Sequence, residues 1–311
     1  IFGCIIQYPN SNGSVEDYRE FVEKAHAANC KVAVDADILS LAMLVPPGEW
    51  GADIVFGSTQ RLGIPMFYGG PSAAYFATRD EFKRNMPGRI IGLSKDKYGK
   101  IAYRMALQTR EQHIKREKAT SNICTAQALL ATMAGFYAVY HGQEGIKNIA
   151  QRIHSIAVYL NTTLTQLGYI QHNKEFFDTL YFSLPEHVTQ QKLRTIALSK
   201  EVNLRYFEDG KVGISIDEAT NLKKINVLIS IFSIAAEEAI QEINEIPEAS
   251  VLSETFVRTS PYLTHEVFQK YHTETEMMRY IKRLERMDIS LAHSMISLGS
   301  CTMKLNAAQE M

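Results

Sequence analysis

The stretch Gly51-Ala-Asp-Ile-Val-Phe-Gly-Ser-Thr-Gln-Arg-Leu-Gly-Ile-Pro-Met-Phe-Tyr-Gly-Gly-Pro71 decides the fold. Ala52–Phe56, apolar but for Asp53, is a short run of the kind buried in a parallel sheet. It passes directly into the polar turn Gly57-Ser58-Thr59-Gln60 and returns through Gly69-Gly70-Pro71. Open α/β sheets bind their ligands beyond the carboxyl ends of such strands, so position 60 becomes the residue to interrogate.

Working outward, Ile1–Gln7 reads as a strand and Pro9–Gly13 as a turn. Ser14-Val-Glu-Asp17 reads as a capping-box start for a helix to about Ala28. Lys31–Asp35 is the next strand, Asp37–Leu44 a short helix stopped by Pro46-Pro47-Gly48, and Ala73–Thr78 a returning strand. Strands joined by helices imply a mostly parallel sheet. Arg79–Asn85 is a brief helix, and Arg89–Ser94 with Ile101–Leu107 form a hairpin about Lys95–Lys100. The charged segment Thr109–Lys118 has a helical pattern and leads through Ala119–Asn122 to an apolar helix, Ile123 to about Tyr140.

Gly142 and Gly145 interrupt that pattern, and Ile146–Leu167 restores a helical period with Ile149, Ile153, Ile156, Leu160 and Leu164 on one face. Then come a strand (Thr179–Leu184), a helix (Thr189–Glu201), a hairpin across Glu208–Lys211 with its Asp-Gly turn, and a closing helix, Asn221–Ala239. Ser250–Ser260 is polar and extended, a linker by composition, and Glu266–Met287 carries charges at helical spacing.

The 311 residues, 46% of them hydrophobic, supply a core large enough for two or more domains. Lys+Arg 33 against Asp+Glu 34 excludes a charge-driven nucleic-acid or anionic-membrane binder. Cys4, Cys30, Cys124 and Cys301 lack zinc or disulfide-framework spacing, so free thiols in a reducing compartment are expected. The opening Ile1–Ile6 reads as a strand in mid-domain, with no signal peptide, and the chain as a fragment of something longer.

Gln60-Arg-Leu-Gly-Ile-Pro-Met-Phe-Tyr-Gly-Gly-Pro71 resembles the lysine segment of pyridoxal-phosphate (PLP) enzymes of the aspartate-aminotransferase fold. It is most similar to the P protein of the glycine cleavage system, the decarboxylating glycine dehydrogenase. In that family a His-Lys-Thr-Phe-Cys-Ile-Pro-His-Gly-Gly-Gly-Gly-Pro segment holds PLP as a Schiff base. Gln60 stands in the lysine's place, and an amide nitrogen, its lone pair delocalised, cannot condense with an aldehyde. The resemblance extends through Pro46–Asp53, Thr109–Gln127 and the terminal loop Leu298-Gly-Ser-Cys-Thr-Met-Lys304.

It implies an α/β chain: a PLP-dependent transferase-like (fold type I) large domain at 1–145 with a degenerate cofactor site. A small α+β domain at 146–246 follows, then a linker and helical extension at 247–311 opening the catalytic half. The implied parent is an oxidoreductase that decarboxylates glycine on PLP held covalently by the half absent here. It passes the aminomethyl group to the lipoylated H protein. The fragment alone is expected to be inactive, a partner of the catalytic half, part of a homo-oligomer, and cytoplasmic if bacterial or in the mitochondrial matrix if eukaryotic.

Candidate site residues come from the residues themselves and from the same resemblance. Thr120, Ser121 and Asn122 precede a helix amino terminus, where an N-cap is the alternative to a phosphate contact across a dimer interface. Ser300, Thr302 and Lys304 are assigned to the cofactor or the glycine carboxylate, with Cys301 a bystander. Asp35 matches the aspartate that pairs with the pyridinium nitrogen, against a plain role capping the next helix. Arg104, Arg110, His113, Lys115 and Arg116 are either an anion site or paired charges at an interface. Two rival functions remain: a purely structural dimerisation domain, and an autonomous PLP lyase resembling cysteine desulfurases, against which Gln60 argues.

Overall fold

The computed structural model describes residues 1–86, 90–107, 117, 127–240 and 243–287. Strands β1 (Gly3–Tyr8), β2 (Lys31–Ala36) and β3 (Ile54–Ser58) pair in parallel, and β4 (Ala74–Thr78) closes the sheet antiparallel to β3, in the order β1-β2-β3-β4. Helix α1 (Arg19–Ala27) joins β1 to β2 and buries Val22 and Ala25. The apolar run does not make β3 a fully buried strand: Ile54, Val55 and Phe56 are only half-buried, whereas Val32 and Val34 of central β2 are sealed. Trp50 anchors the loop before β3 edge-on against Tyr8, 5.8 Å between ring centroids.

The capping-box reading of Ser14 fails for a definite reason. Ser14 Oγ lies 2.9 Å from Asn12 Oδ1 and 3.0 Å from Asn173 Oδ1, so it fastens the β1–α1 loop to the second sheet. The helix starts instead at Arg19, whose N–H donates to Asp17 Oδ1. The same loop admits only glycine at position 13, where φ is +93° and a Cβ would meet the Thr179 carbonyl oxygen at 2.2 Å.

Strands β5 (Ile90–Lys95) and β6 (Ile101–Leu107) form the expected hairpin, a separate two-stranded sheet. Helix α2 (Ala128–Gln166) is broken once, at Gly142, with φ +62° and ψ −171°. Beyond the break Ala150, Ile153, Ile156, Ala157, Leu160 and Leu164 are sealed. They pack in one core with Leu180 and Phe182 of β8 (Thr179–Ser183), Leu193 of α3 (Gln190–Ser199), Val212 and Ile214 of β10 (Val212–Ser215), and Ile225 and Phe232 of α4 (Leu222–Ala236). Each buried Leu, Ile, Val or Phe among them contributes about 1.5–3 kcal/mol.

This second sheet is antiparallel, β7-β8-β10-β9, with β7 at Ile170–Gln171 and β9 at Arg205–Tyr206. Thr189 and Asn221 cap α3 and α4 by accepting from Lys192 N and Lys224 N.

Ser250–Ser260 is extended but lies against the core rather than spanning solvent. Val45 N donates to Phe256 O at 2.8 Å and Arg258 N to Met43 O at 2.7 Å. Buried His154 accepts through Nε2 from Ser250 Oγ and Val251 N, because its Nδ1–H donates to Phe177 O at 2.8 Å. Helix α5 (Glu274–Glu285) is capped by Thr273 and packs Tyr280 edge-on against Phe136.

Candidate functional site

A cleft of about 710 Å³ opens at the carboxyl ends of β1, β2 and β3. Gln7, Pro9, Asp35, Asp37, Ser58, Gln60 and Arg61 line one side; Asp217, Glu218 and Ala219, from the connection between β10 and α4, line the other. This is where an open α/β sheet offers a crevice to a ligand.

Gln60 sits in the turn after β3, half-buried, its backbone N–H donating to Ser58 Oγ at 3.1 Å. Ile64 N donates to the Gln60 carbonyl, so the turn is closed by its own backbone. Arg61 is the residue that joins the two sides. Its Nη2 lies 2.6 Å from Asp178 Oδ2 and 3.6 Å from Asp37 Oδ2, and the guanidinium stands over the Phe177 ring.

Burial pushes the Asp37 carboxyl up to about 6 despite Arg61, and the neighbouring Asp178 carboxylate adds to the shift. Asp178 is also raised by burial. Burial works against the Arg61 charge, but the two carboxylates more than offset it and raise its pKa.

Asp35 lines the cleft from β2, and its side chain makes no hydrogen bond or ion pair with a described residue. It does not cap the single helical turn Ser40–Ala42 that follows, which has no side-chain cap; Asp37 Oδ1 accepts from Leu39 N at 3.0 Å just before that turn. Tyr137 donates to Glu218 Oε2 at 2.8 Å, and Arg152 donates to the carbonyls of Thr220 and Glu218.

The lining does not fit PLP. It holds four carboxylates, Asp35, Asp37, Asp217 and Glu218, and no lysine, while its one guanidinium is committed to two aspartates. A phosphate ester would meet net negative charge, and an aldehyde would find an amide where an amine is required.

Thr120, Ser121, Asn122, Ser300, Thr302 and Lys304 lie outside the described residues, as do Arg110, His113, Lys115 and Arg116 of the basic cluster. Gly69 and Gly70 make a turn, with φ +104° and +135°. Sequence reasoning passed over Arg61, Asp37 and Asp178; an arginine immediately after the Schiff-base position was the signal available. Cys4 and Cys30 are free thiols, and no metal-binding cluster occurs among the described residues. Among these residues no helix is long and apolar enough to cross a membrane.

A sequence model described as glycine cleavage system P-protein matches residues 1–232. The chain belongs to the P-protein family. Over all 311 residues it is 75% identical to a glycine dehydrogenase (decarboxylating) of Bacteroides fragilis strain YCH46, covering 33% of that protein. This member of the P-protein family thus spans about a third of the length of the curated relatives it matches.

A crystal structure of glycine decarboxylase (P-protein) in inhibitor-bound form superposes with a TM-score of 0.69 at 31% identity, over 76% of this chain and 55% of that one. An aspartate aminotransferase from Thermus thermophilus superposes with a TM-score of 0.51 at 16% identity, over 76% and 59% of the two chains, which shows the fold alone. The fold is α/β, of the PLP-dependent transferase type.

Proposed function

We propose that this chain is the non-catalytic part of a glycine decarboxylase, supporting the interface and active site of a longer polypeptide whose PLP is held covalently elsewhere. The observation that carries the reading is the Gln60 cleft: strand ends, turn and crevice keep the geometry of a cofactor site, while the amine is missing and Arg61 ties its walls together. PLP, where bound, supplies an electron sink for loss of carbon dioxide from glycine. This chain contributes shape and rigidity.

On this reading the parent acts on glycine, passes the aminomethyl group to the lipoylated H protein, and works as a homo-oligomer in the cytoplasm of a bacterium. The 311-residue chain alone is inactive. Thr120, Ser121 and Asn122 reach the cofactor phosphate across the interface, and Ser300, Thr302 and Lys304 contact the cofactor or glycine carboxylate. The division at 145 and 246 belongs to the same proposal. The match of relatives three times as long supports it over a free-standing lyase.

The test is Thr302→Val and Lys304→Met in the full-length protein, reading glycine–bicarbonate exchange and PLP retention. Loss of a charge-assisted hydrogen bond costs about 1.5–3 kcal/mol, roughly tenfold or more in rate or affinity. Wild-type values in both variants remove the loop from the site and favour a purely structural dimerisation domain.

A further inference from the structure

The hairpin β5–β6 has one face that no described residue covers. Its register sets Ile91 opposite Met105, Leu93 opposite Tyr103, and Lys95 opposite Ile101. Successive strand residues point to opposite faces, so Ile91, Leu93, Ile101, Tyr103 and Met105 all share one face. Their exposures are 56%, 68%, 70%, 78% and 48%.

The other face carries Gly92, Ser94, Ala102, Arg104 and Ala106. This is the alternation of a strand with one face in a core, yet among the described residues the two strands pair only with each other. A two-stranded hairpin is marginal in water without a hydrophobic partner, and a contiguous row of large exposed apolar residues marks an interaction surface.

We propose that this face is the docking surface for the part of the parent polypeptide outside these 311 residues. The proposal rests on the reading that the chain is one part of a P-protein. The occupant is chosen by length: the relatives carry about two thirds of their residues beyond the region matched here, enough for another domain with a core of its own. The hairpin also sets the chemistry of the surface it meets. Lys95, Lys97 and Lys100 surround its turn against the single carboxylate of Asp96. The complementary patch is therefore apolar at its centre and acidic where it meets the turn.

Tyr98 and Tyr103 supply an internal comparison, because they are 74% and 78% exposed in this chain while only Tyr103 lies on the apolar face. The experiment is hydroxyl-radical footprinting of the full-length protein. In a desolvated interface centre Tyr103 is labelled about fivefold or more slowly than Tyr98.

Leu93→Asp in the full-length protein raises Tyr103 labelling towards that of Tyr98, and Ser94→Asp on the opposite face leaves it unchanged. Equal labelling of the two tyrosines in the wild type overturns the proposal. Protection of Tyr103 that disappears on dilution also overturns it, by assigning the face to a second copy. The footprint is read without turnover, so loss of the assigned cofactor contacts and loss of this interface are separately visible.

Discussion

Arg61 and Asp178 meet at 2.6 Å, joining the turn after β3 to the residue just before β8 of the antiparallel sheet. The guanidinium is three-quarters buried, and Asp37 lies 3.6 Å from the same Nη2. Removing the cation leaves the buried Asp178 and the half-buried Asp37 carboxylates without the charge they share. Arg61→Met is expected to destabilise the chain by about 3–5 kcal/mol in urea unfolding, the range for breaking a buried pair by deleting one partner. A loss below about 1 kcal/mol, the range of surface pairs, would show that the clamp is solvated.

Asp37 gives the clamp a pH dependence. Its carboxyl titrates near 6 in the fold against 3.8 for the free side chain, so between these values the folded state binds more protons than the unfolded one. Stability from this group therefore rises as pH falls from about 6 towards 4, as burying the charge is no longer required. The wild type should gain on Asp37→Asn when thermal unfolding is compared at pH 7 and pH 5. A difference that stays constant across this range contradicts the assignment.

His154 works in the opposite direction. Burial lowers its pKa from 6.5, and the neutral tautomer is the one that accepts from Ser250 and Val251. A basic group depressed in the fold contributes stability that is complete above the unfolded value and lost as pH falls below it. Amide exchange at Val251, corrected for intrinsic rates, should quicken between pH 7 and pH 5. Exchange that keeps its protection would show that the Ser250–Ser260 segment is held by its other contacts, such as Phe256 O with Val45 N.

The parallel strands and their long apolar helix were legible because burial on a regular period leaves a local trace, as in Ile153, Ile156, Leu160 and Leu164. The starts of α3 and α4 were legible as well, each expected helix opening on the residue that caps it, Thr189 and Asn221. What failed was non-local. Ser14 has the composition of a cap, but Asn173 claims its hydroxyl from another part of the chain. Ser250–Ser260 has the composition of a linker, but Ser250 bonds to buried His154 and Arg258 N donates to Met43 O.

The cleft shows the same division. Gln60 and Asp35 were found through the strand–turn pattern and the resemblance, which place residues along one chain segment. Arg61 acquires its role only through Asp178, far along the sequence, and no spacing rule announces an ion pair between two sheets. Strand β7 was missed because two residues, Ile170 and Gln171, carry too little pattern to distinguish a strand from a turn.

The central claim is that the cleft at Gln60 keeps the shape of a cofactor site without its chemistry, and one measurement reaches it directly. The full-length protein, loaded with PLP, is reduced with borohydride and digested, and the pyridoxyl-lysine peptide is located by mass spectrometry. The account predicts that the label falls outside residues 1–311, with none on any lysine of this chain. A pyridoxyl group on a lysine within these residues, formed in stoichiometric yield, would contradict it.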